Sequence, residues 1–314
     1  MFKNFYTPAF ITKVSFTANS DNALSRLDII KLGLLAAIWG GSFIGMRIAV
    51  PEVGTILSAT LRIALAAIAL LLFTYLNQIP LQWQRNFKAY LTAGLFGAVL
   101  PFALFSYAAL HLPAALSALF NATCPLFGAL FSMMWLAERL SLRKCIGLLL
   151  GIGGVWLLVD AGSLLQTQPT LLSVIACLLS AACFAISGVI VKRHTCLQKV
   201  STNRIEPLAM ATGSMLAASF MLLPTVPFSL PTHIPSSTAI TLVIALALFP
   251  SALAQIIFIP LVARIGPTRA MSVSFLIPLF SMLWGVLFLQ ESIGLSCLLG
   301  GLTVLAATGL VIKP

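Results

Sequence analysis

Leu32 to Val50 reads LGLLAAIWGGSFIGMRIAV. This run has one charged residue, Arg47, near its far end. About 20 apolar residues are enough to cross a bilayer. In hydrocarbon the backbone must satisfy its own hydrogen bonds, so an apolar run of this length must be a helix. The residues before it include Lys3, Asn4, Lys13, Asp21, Asn22 and Arg26 and hold no long apolar stretch. That is not the build of a cleavable leader, so the run reads as a retained first span. Residues 1–29 are then expected to be a loose cytoplasmic tail.

Nine more runs of the same kind follow. The expected spans are 30–50, 55–76, 89–110, 113–136, 143–160, 170–191, 206–224, 238–263, 267–289 and 294–312. The composition agrees: 60% of the 314 residues are hydrophobic, 8% are charged, and the mean hydropathy is +1.07. An ordinary soluble domain carries roughly 25% charged residues. A water-soluble enzyme, a disordered chain and a disulfide-built secreted domain are excluded on that basis. Lone prolines within the runs, Pro101, Pro125, Pro250, Pro260 and Pro278, are expected to mark kinks or broken turns.

The net charge of +11 could signal nucleic-acid binding, but the basic residues stand at alternate connections. Lys3, Lys13, Arg26, Lys31, Arg85, Lys88, Arg139, Arg143, Lys144, Lys192, Arg193, Lys199, Arg204, Arg264, Arg269 and Lys313 all fall on one side of the proposed spans. The connections near 51–54, 111–112, 161–169, 225–237 and 290–293 carry no Lys or Arg. This is a topology signal. It requires an even number of spans and puts both termini in the cytoplasm. The expected fold is therefore an all-α polytopic membrane protein of ten transmembrane helices. Its expected partners are membrane lipids and a small-molecule substrate, with no nucleic acid, in a monomer or weak homodimer. The six cysteines are scattered without a C-x-x-C pair and read as small buried hydrophobes.

A repeat runs through the chain. Pro125, Glu138 and Gly147 recur as Pro278, Glu291 and Gly300 at one offset of 153 residues. Trp39-Gly-Gly-Ser42 pairs more weakly with Phe184-Ala-Ile-Ser187, and Arg47 with Lys192. Two halves of five helices follow, 30–160 and 170–312. An odd number of spans per half turns the second copy upside down. Inverted repeats are the build of many secondary transporters, with the substrate near midplane between the halves.

Trp39-Gly-Gly-Ser-Phe43, together with Pro125, Glu138-Arg139-Leu140 and Gly147 and their copies Pro278, Glu291 and Gly300, resembles the EamA family of the drug/metabolite transporter superfamily. The resemblance extends from about residue 30 to the end. It implies ten helices in two inverted EamA repeats. It also implies a central cavity lined largely by the first helix of each half with its third and fourth partners. The implied activity is transport of small metabolites across the inner membrane, often amino acids or related compounds and frequently as export.

Polar residues at membrane depth are costly and mark candidate sites. Arg62, in the second run, could hold a substrate carboxylate in a bidentate grip, or could reach the headgroups or Glu52 instead. Arg47 has the same two readings. Asn121 and Ser274 are equivalent at the 153 offset, each four residues before its proline, so each carbonyl is expected to lose its helical partner and to face the cavity. Trp39 could stack on a ligand. Ser42, Tyr107 and Gln255 complete the expected binding set, with Ser106 and Ser251 as further candidates. Pro125 and Pro278 are expected hinges, and Glu138 and Glu291 structural anchors at helix ends. The Gly41/Gly45 and Gly147/Gly151 pairs have the spacing that lets helices approach closely.

The main rival is a membrane-embedded enzyme acting on lipids. It would need a metal site, an acid–base pair or a nucleophile with its base. His111, His194 and His233 fall in separate loops, and no Asp-rich or H-E-x-x-H cluster exists. No catalytic residue, metal or cofactor is expected. The first run also has no acidic residue at its centre, where small multidrug-resistance proteins of the same superfamily carry one, so proton-coupled drug antiport of that type is not expected.

Overall fold

The computed structural model describes residues 24–112, 114–136, 141–158, 171–197, 204–231, 233–289 and 295–312. Those residues are mostly helical, with short turns and loops between the helices and no strand among them. In chain order the helices are α1 (Arg26–Val53), α2 (Thr55–Leu76), α3 (Trp83–Gly94), α4 (Leu100–His111), α5 (Ala114–Asn121), α6 (Cys124–Leu136) and α7 (Leu142–Leu158). Then come α8 (Leu171–Lys192), α9 (Pro207–Leu222), α10 (Ser237–Ala247), α11 (Ala254–Ile265), α12 (Pro267–Met271), α13 (Val273–Leu289) and α14 (Leu295–Ile312). Six continuous helical stretches among the described residues are long and apolar enough to cross a membrane: 26–53, 55–76, 83–111, 171–196, 207–228 and 237–265. Shorter apolar helices, such as Cys124–Leu136, stand beside them. Large side chains such as Ile68, Leu72, Leu149 and Leu302 point outward. Only lipid makes such an outer surface favourable. The chain is a polytopic helical membrane protein.

The first helix starts earlier than its apolar run. Ser25 and Asp28 form a capping box: the Ser25 hydroxyl accepts from the Asp28 amide, and the Asp28 carboxylate accepts from the Ser25 amide at 2.8 Å. Residues 26–29, expected in the tail, therefore belong to α1. Glu52, near the end of α1, accepts from the amide and hydroxyl of Ser236, the N-cap of α10.

Two expected long helices are each made of two pieces. The run 113–136 breaks at Ala122 and Thr123, between α5 and α6, and the run 267–289 breaks at Ser272, between α12 and α13. Pro125 thus sits in the first turn of α6, where its missing N–H costs nothing, rather than kinking a continuous helix. Pro278 lies inside α13 as expected.

Two other spans carry a wide π turn. Leu95–Val99 joins α3 to α4, and Leu248–Leu253 joins α10 to α11. Their first residues are 153 positions apart, the same offset as Pro125 and Pro278. A third π turn, Arg193–Leu197, extends α8.

Packing follows from small residues at crossings. α1 lies along α13 and against α10; α8 lies along α6 and against α4; α2 packs on α9, and α7 on α14. α1 comes so close to α13 that a Cβ on Gly40 would stand 2.9 Å from the Ser281 amide nitrogen. The Gly147/Gly151 pair faces Leu310, Val311 and Phe275, so its close-packing role is within the bundle. One end of the bundle joins the start of α1 to the end of α11 by the Asp28–Arg264 ion pair, and Lys192 Nζ donates to the Ala263 carbonyl at 2.9 Å. The opposite end joins α1 to α4: Arg47 Nη1 donates to the Ala109 and Leu112 carbonyls, both at 3.0 Å. There the guanidinium answers carbonyls left open at a helix C-terminus.

Tyr90, fully buried, pins α3 to the turn before it. Its hydroxyl donates to the Leu81 carbonyl at 2.6 Å. Tyr90→Phe is expected to lower stability by about 1 kcal/mol, the net worth of one such bond. Thermal unfolding of the purified protein checks this, and an unchanged midpoint would show the bond to be idle.

Candidate functional site

A cavity with a free volume of about 100 Å³ lies inside the helix bundle. One buried water needs about 10–15 Å³ on this measure, so the space suits several waters or one small solute.

Its walls come from helical spacing. α1 contributes Trp39, Ser42, Phe43 and Met46, the i, i+3, i+4, i+7 positions of one face. Gly40 and its contact with α13 set that face toward the cavity. α8 contributes Phe184, Ser187, Gly188 and Val191 at identical spacing. The π turns bring Gly97, Ala98 and Pro250 to the wall, and the break between α5 and α6 brings Asn121 and Cys124.

The second π turn organises the polar part. Pro250 has no N–H, so the Leu246 carbonyl four residues earlier loses its helical partner. The Ser251 hydroxyl supplies one, donating to it at 2.8 Å. The same hydroxyl accepts from Arg62 Nε at 2.6 Å. Trp39 Nε1 donates to the Pro250 carbonyl at 2.9 Å, and the Trp39 ring meets Phe258 edge-on, centroids 5.1 Å apart. Arg62 is only 6% exposed, with its guanidinium carbon 4.0 Å from the centre of the Phe102 ring and Nη1 3.4 Å from Met46 Sδ. The alternatives in which Arg62 reaches the headgroups or pairs with Glu52 are not what the structure holds.

Of the residues singled out in the sequence, Trp39, Ser42, Arg62, Asn121, Gln255 and Ser274 line this one cavity. Tyr107 does not. Its ring meets that of His111 at a tilt toward the end of α4, centroids 4.8 Å apart. Ser106 is buried away from the cavity, and Ser251 stands behind Arg62 rather than on the wall. Pro125 and Pro278 follow the cavity-lining positions of α6 and α13. Glu138 and Glu291 lie outside the described residues. The Asn121 side-chain oxygen accepts from the Cys124 thiol at 3.3 Å, and the Gln255 side-chain oxygen is buried with no partner among the described residues. The individual residues of the Phe184–Val191 face were left unassigned by sequence reasoning. The resemblance implied that the first helix of each half lines the cavity, and the weak pairing of Phe184-Ala-Ile-Ser187 with Trp39-Gly-Gly-Ser42 was the signal within the helix itself.

Among the described residues no three His, Cys, Asp or Glu side chains stand close enough to hold a metal, and Cys124, Cys145, Cys177, Cys183 and Cys196 are unbridged. Among the described residues the cavity offers one buried cation, a few hydroxyl and amide groups, and a mainly apolar, aromatic wall.

The model of the EamA-like transporter family matches residues 28–160 and again 171–313. The uncharacterized transporter YvbV of Bacillus subtilis (strain 168) is 26% identical over 282 residues, covering 89% of this chain and 90% of its own. The uncharacterized inner membrane transporter YedA of Escherichia coli (strain K12) is 26% identical over 256 residues, covering 80% of this chain and 79% of its own. A solved crystal structure with 18% identity superimposes with a TM-score of 0.72 over 91% of this chain and 96% of that one, a likeness of fold. With two family matches that together span most of its length, the chain belongs to the EamA-like transporter family and is a multi-pass transporter of the inner membrane.

Proposed function

We propose that this transporter moves small metabolites by alternating access around the central cavity, with amino acids and related carboxylates as the first substrates to test and export as the working direction. In this reading the chain crosses the membrane ten times, as two inverted five-helix repeats (30–160 and 170–312), with both termini cytoplasmic. The observation that carries it is the paired construction of the cavity: the 39–46 face of α1 and the 184–191 face of α8 have one spacing, and the π turns at 95 and 248 share the 153 offset of the sequence repeat. The helix contacts support it too, because α1 packs on α13 and on the 237–265 stretch as α8 packs on α6 and on the 83–111 stretch.

Alternating access needs closures on both sides of the site and a place for the halves to bend. The Asp28–Arg264 pair and the Arg47 contacts join helices at opposite ends of the bundle. The breaks at 122–123 and 272 supply bending points beside Pro125 and Pro278. Purified protein in liposomes should take up radiolabelled metabolites from a broad panel faster than empty vesicles do. No flux above empty vesicles for any member would overturn the reading. A cysteine introduced beside His233 should react with an impermeant reagent from the periplasmic side, and cytosolic labelling would overturn the topology.

A further inference from the structure

We infer that the recognised group of the substrate is a carboxylate seated on Arg62, that the rest of the substrate is an apolar, aromatic-compatible body, and that no ammonium is required; the inference rests on the transporter reading above. Arg62 is the charged side chain among the described residues lining the cavity. It is buried, and none of the carboxylates among the described residues meets it. Asp28 is held by Arg264 at one end of the bundle, Glu52 by Ser236, and Glu206 caps α9 by accepting from the Ala209 amide. These are all the acidic side chains among the described residues.

A buried cation without a counter-charge is costly. Nε is occupied by Ser251 and Nη1 meets only the weak acceptor Met46 Sδ, while Nη2 has no partner among the described residues. The two Nη groups therefore keep donors for an anion in the fork geometry that carboxylates match. Phe102 holds the guanidinium plane from one face, so the fork is fixed before a ligand arrives. The remaining wall is mainly Trp39, Phe43, Phe105, Phe184 and Phe258, with uncharged polar groups such as the Gln255 side-chain oxygen between them. It suits a hydrocarbon or aromatic body and gives a substrate ammonium no charged partner. A zwitterion gains the Arg62 contact but must desolvate its ammonium against uncharged groups. An organic monoanion gains the same contact without that cost.

Four probes on one skeleton separate these terms: 3-phenylpropionate, phenylalanine, 2-phenylethylamine and the neutral 3-phenylpropanamide. Equilibrium binding to the full chain in lipid nanodiscs should place 3-phenylpropionate about ten- to a hundredfold tighter than the amide, as expected for a hydrogen-bonded charge contact. Phenylalanine should bind no tighter than 3-phenylpropionate, and the amine should bind weakest. Arg62→Gln should remove the preference of acid over amide while leaving amide affinity within about threefold, and Arg62→Lys should restore part of it. The amine binding as tightly as the acid would overturn the inference. So would acid and amide losing affinity equally in Arg62→Gln, or no binding by any of the four. Flux of 3-phenylpropionate through Arg62→Gln as through the parent would sink the carboxylate seat alone and leave the carrier standing; absence of all flux in the parent would sink the carrier.

Discussion

Gly94→Ala should be among the most damaging single-methyl changes in this protein. Gly94 ends α3 in ordinary helical geometry, so backbone freedom is not the reason. The reason is distance. A Cβ there would stand 2.4 Å from the Ser214 carbonyl oxygen and 3.2 Å from the Ala218 amide nitrogen, both backbone atoms of α9. A flexible side chain could swing aside, but a helix backbone moves only as a whole. Overpacking a tight interior costs about 1–3 kcal/mol even where side chains can yield, and here the cost should lie at or above the top of that range. Ala93 and Ser214 both line the cavity, so a displaced α9 should also weaken ligand binding. The control is Gly153→Ala. Gly153 also lies within a helix, yet a Cβ there meets nothing within 4 Å. Removing a mid-helix glycine should then gain up to about 1 kcal/mol. Thermal unfolding of the two variants beside the parent decides the matter. Equal midpoints for Gly94→Ala and Gly153→Ala would show that the α3–α9 contact is looser than described.

The contrast between these glycines marks what the sequence could say. The six long spans were legible because apolar length is read directly, and hydrocarbon permits only helices. Which glycine touches a neighbour was not legible, because composition does not record helix rotation. The breaks at 122–123 and 272 were hidden for a related reason. Ala122, Thr123 and Ser272 carry no breaker signal, and Pro125 and Pro278, which do, mark places slightly further on. The π turns have no signature beyond Pro250 inside one and Pro101 two residues past the end of another, yet they help set the cavity's polar side. Arg62 was conspicuous as a charge in an apolar run, but its partner was not. Glu52 looked near in sequence. Arg62 stands seven residues into α2, however, about 10 Å along the axis, and it turns inward to Ser251, 189 positions away. Asn121 and Ser274 were reached through the repeat, Trp39 and Ser42 through the first-helix motif, and Gln255 as a polar group in an apolar run, and all five line the same cavity. Tyr107 fell outside because its place along α4 was legible and its direction was not.

Ser251→Ala should cost far more than a small polar residue usually does, and the cost should depend on Arg62. The Ser251 hydroxyl bonds in two directions. It donates to the Leu246 carbonyl that Pro250 leaves without a helical partner, and it accepts from Arg62 Nε. Both Ser251 and Arg62 are buried, so losing the hydroxyl leaves a carbonyl and a cation unsatisfied together. An orphaned buried polar group costs about 1–3 kcal/mol, and more when charged; breaking a buried charged contact from one side costs about 3–5 kcal/mol. In an Arg62→Met background the cation is gone, and Ser251→Ala should then cost only the carbonyl's share. The double-mutant cycle should return a coupling of about 1–3 kcal/mol, within the range found for residues in one hydrogen-bond network. Ser251→Thr keeps the hydroxyl and should recover most of the loss. The measurement is thermal unfolding of the four corners in one detergent or nanodisc preparation. Additive costs at the two positions would mean that Ser251 does not hold Arg62, and the guanidinium would then need another support to stay fixed against Phe102.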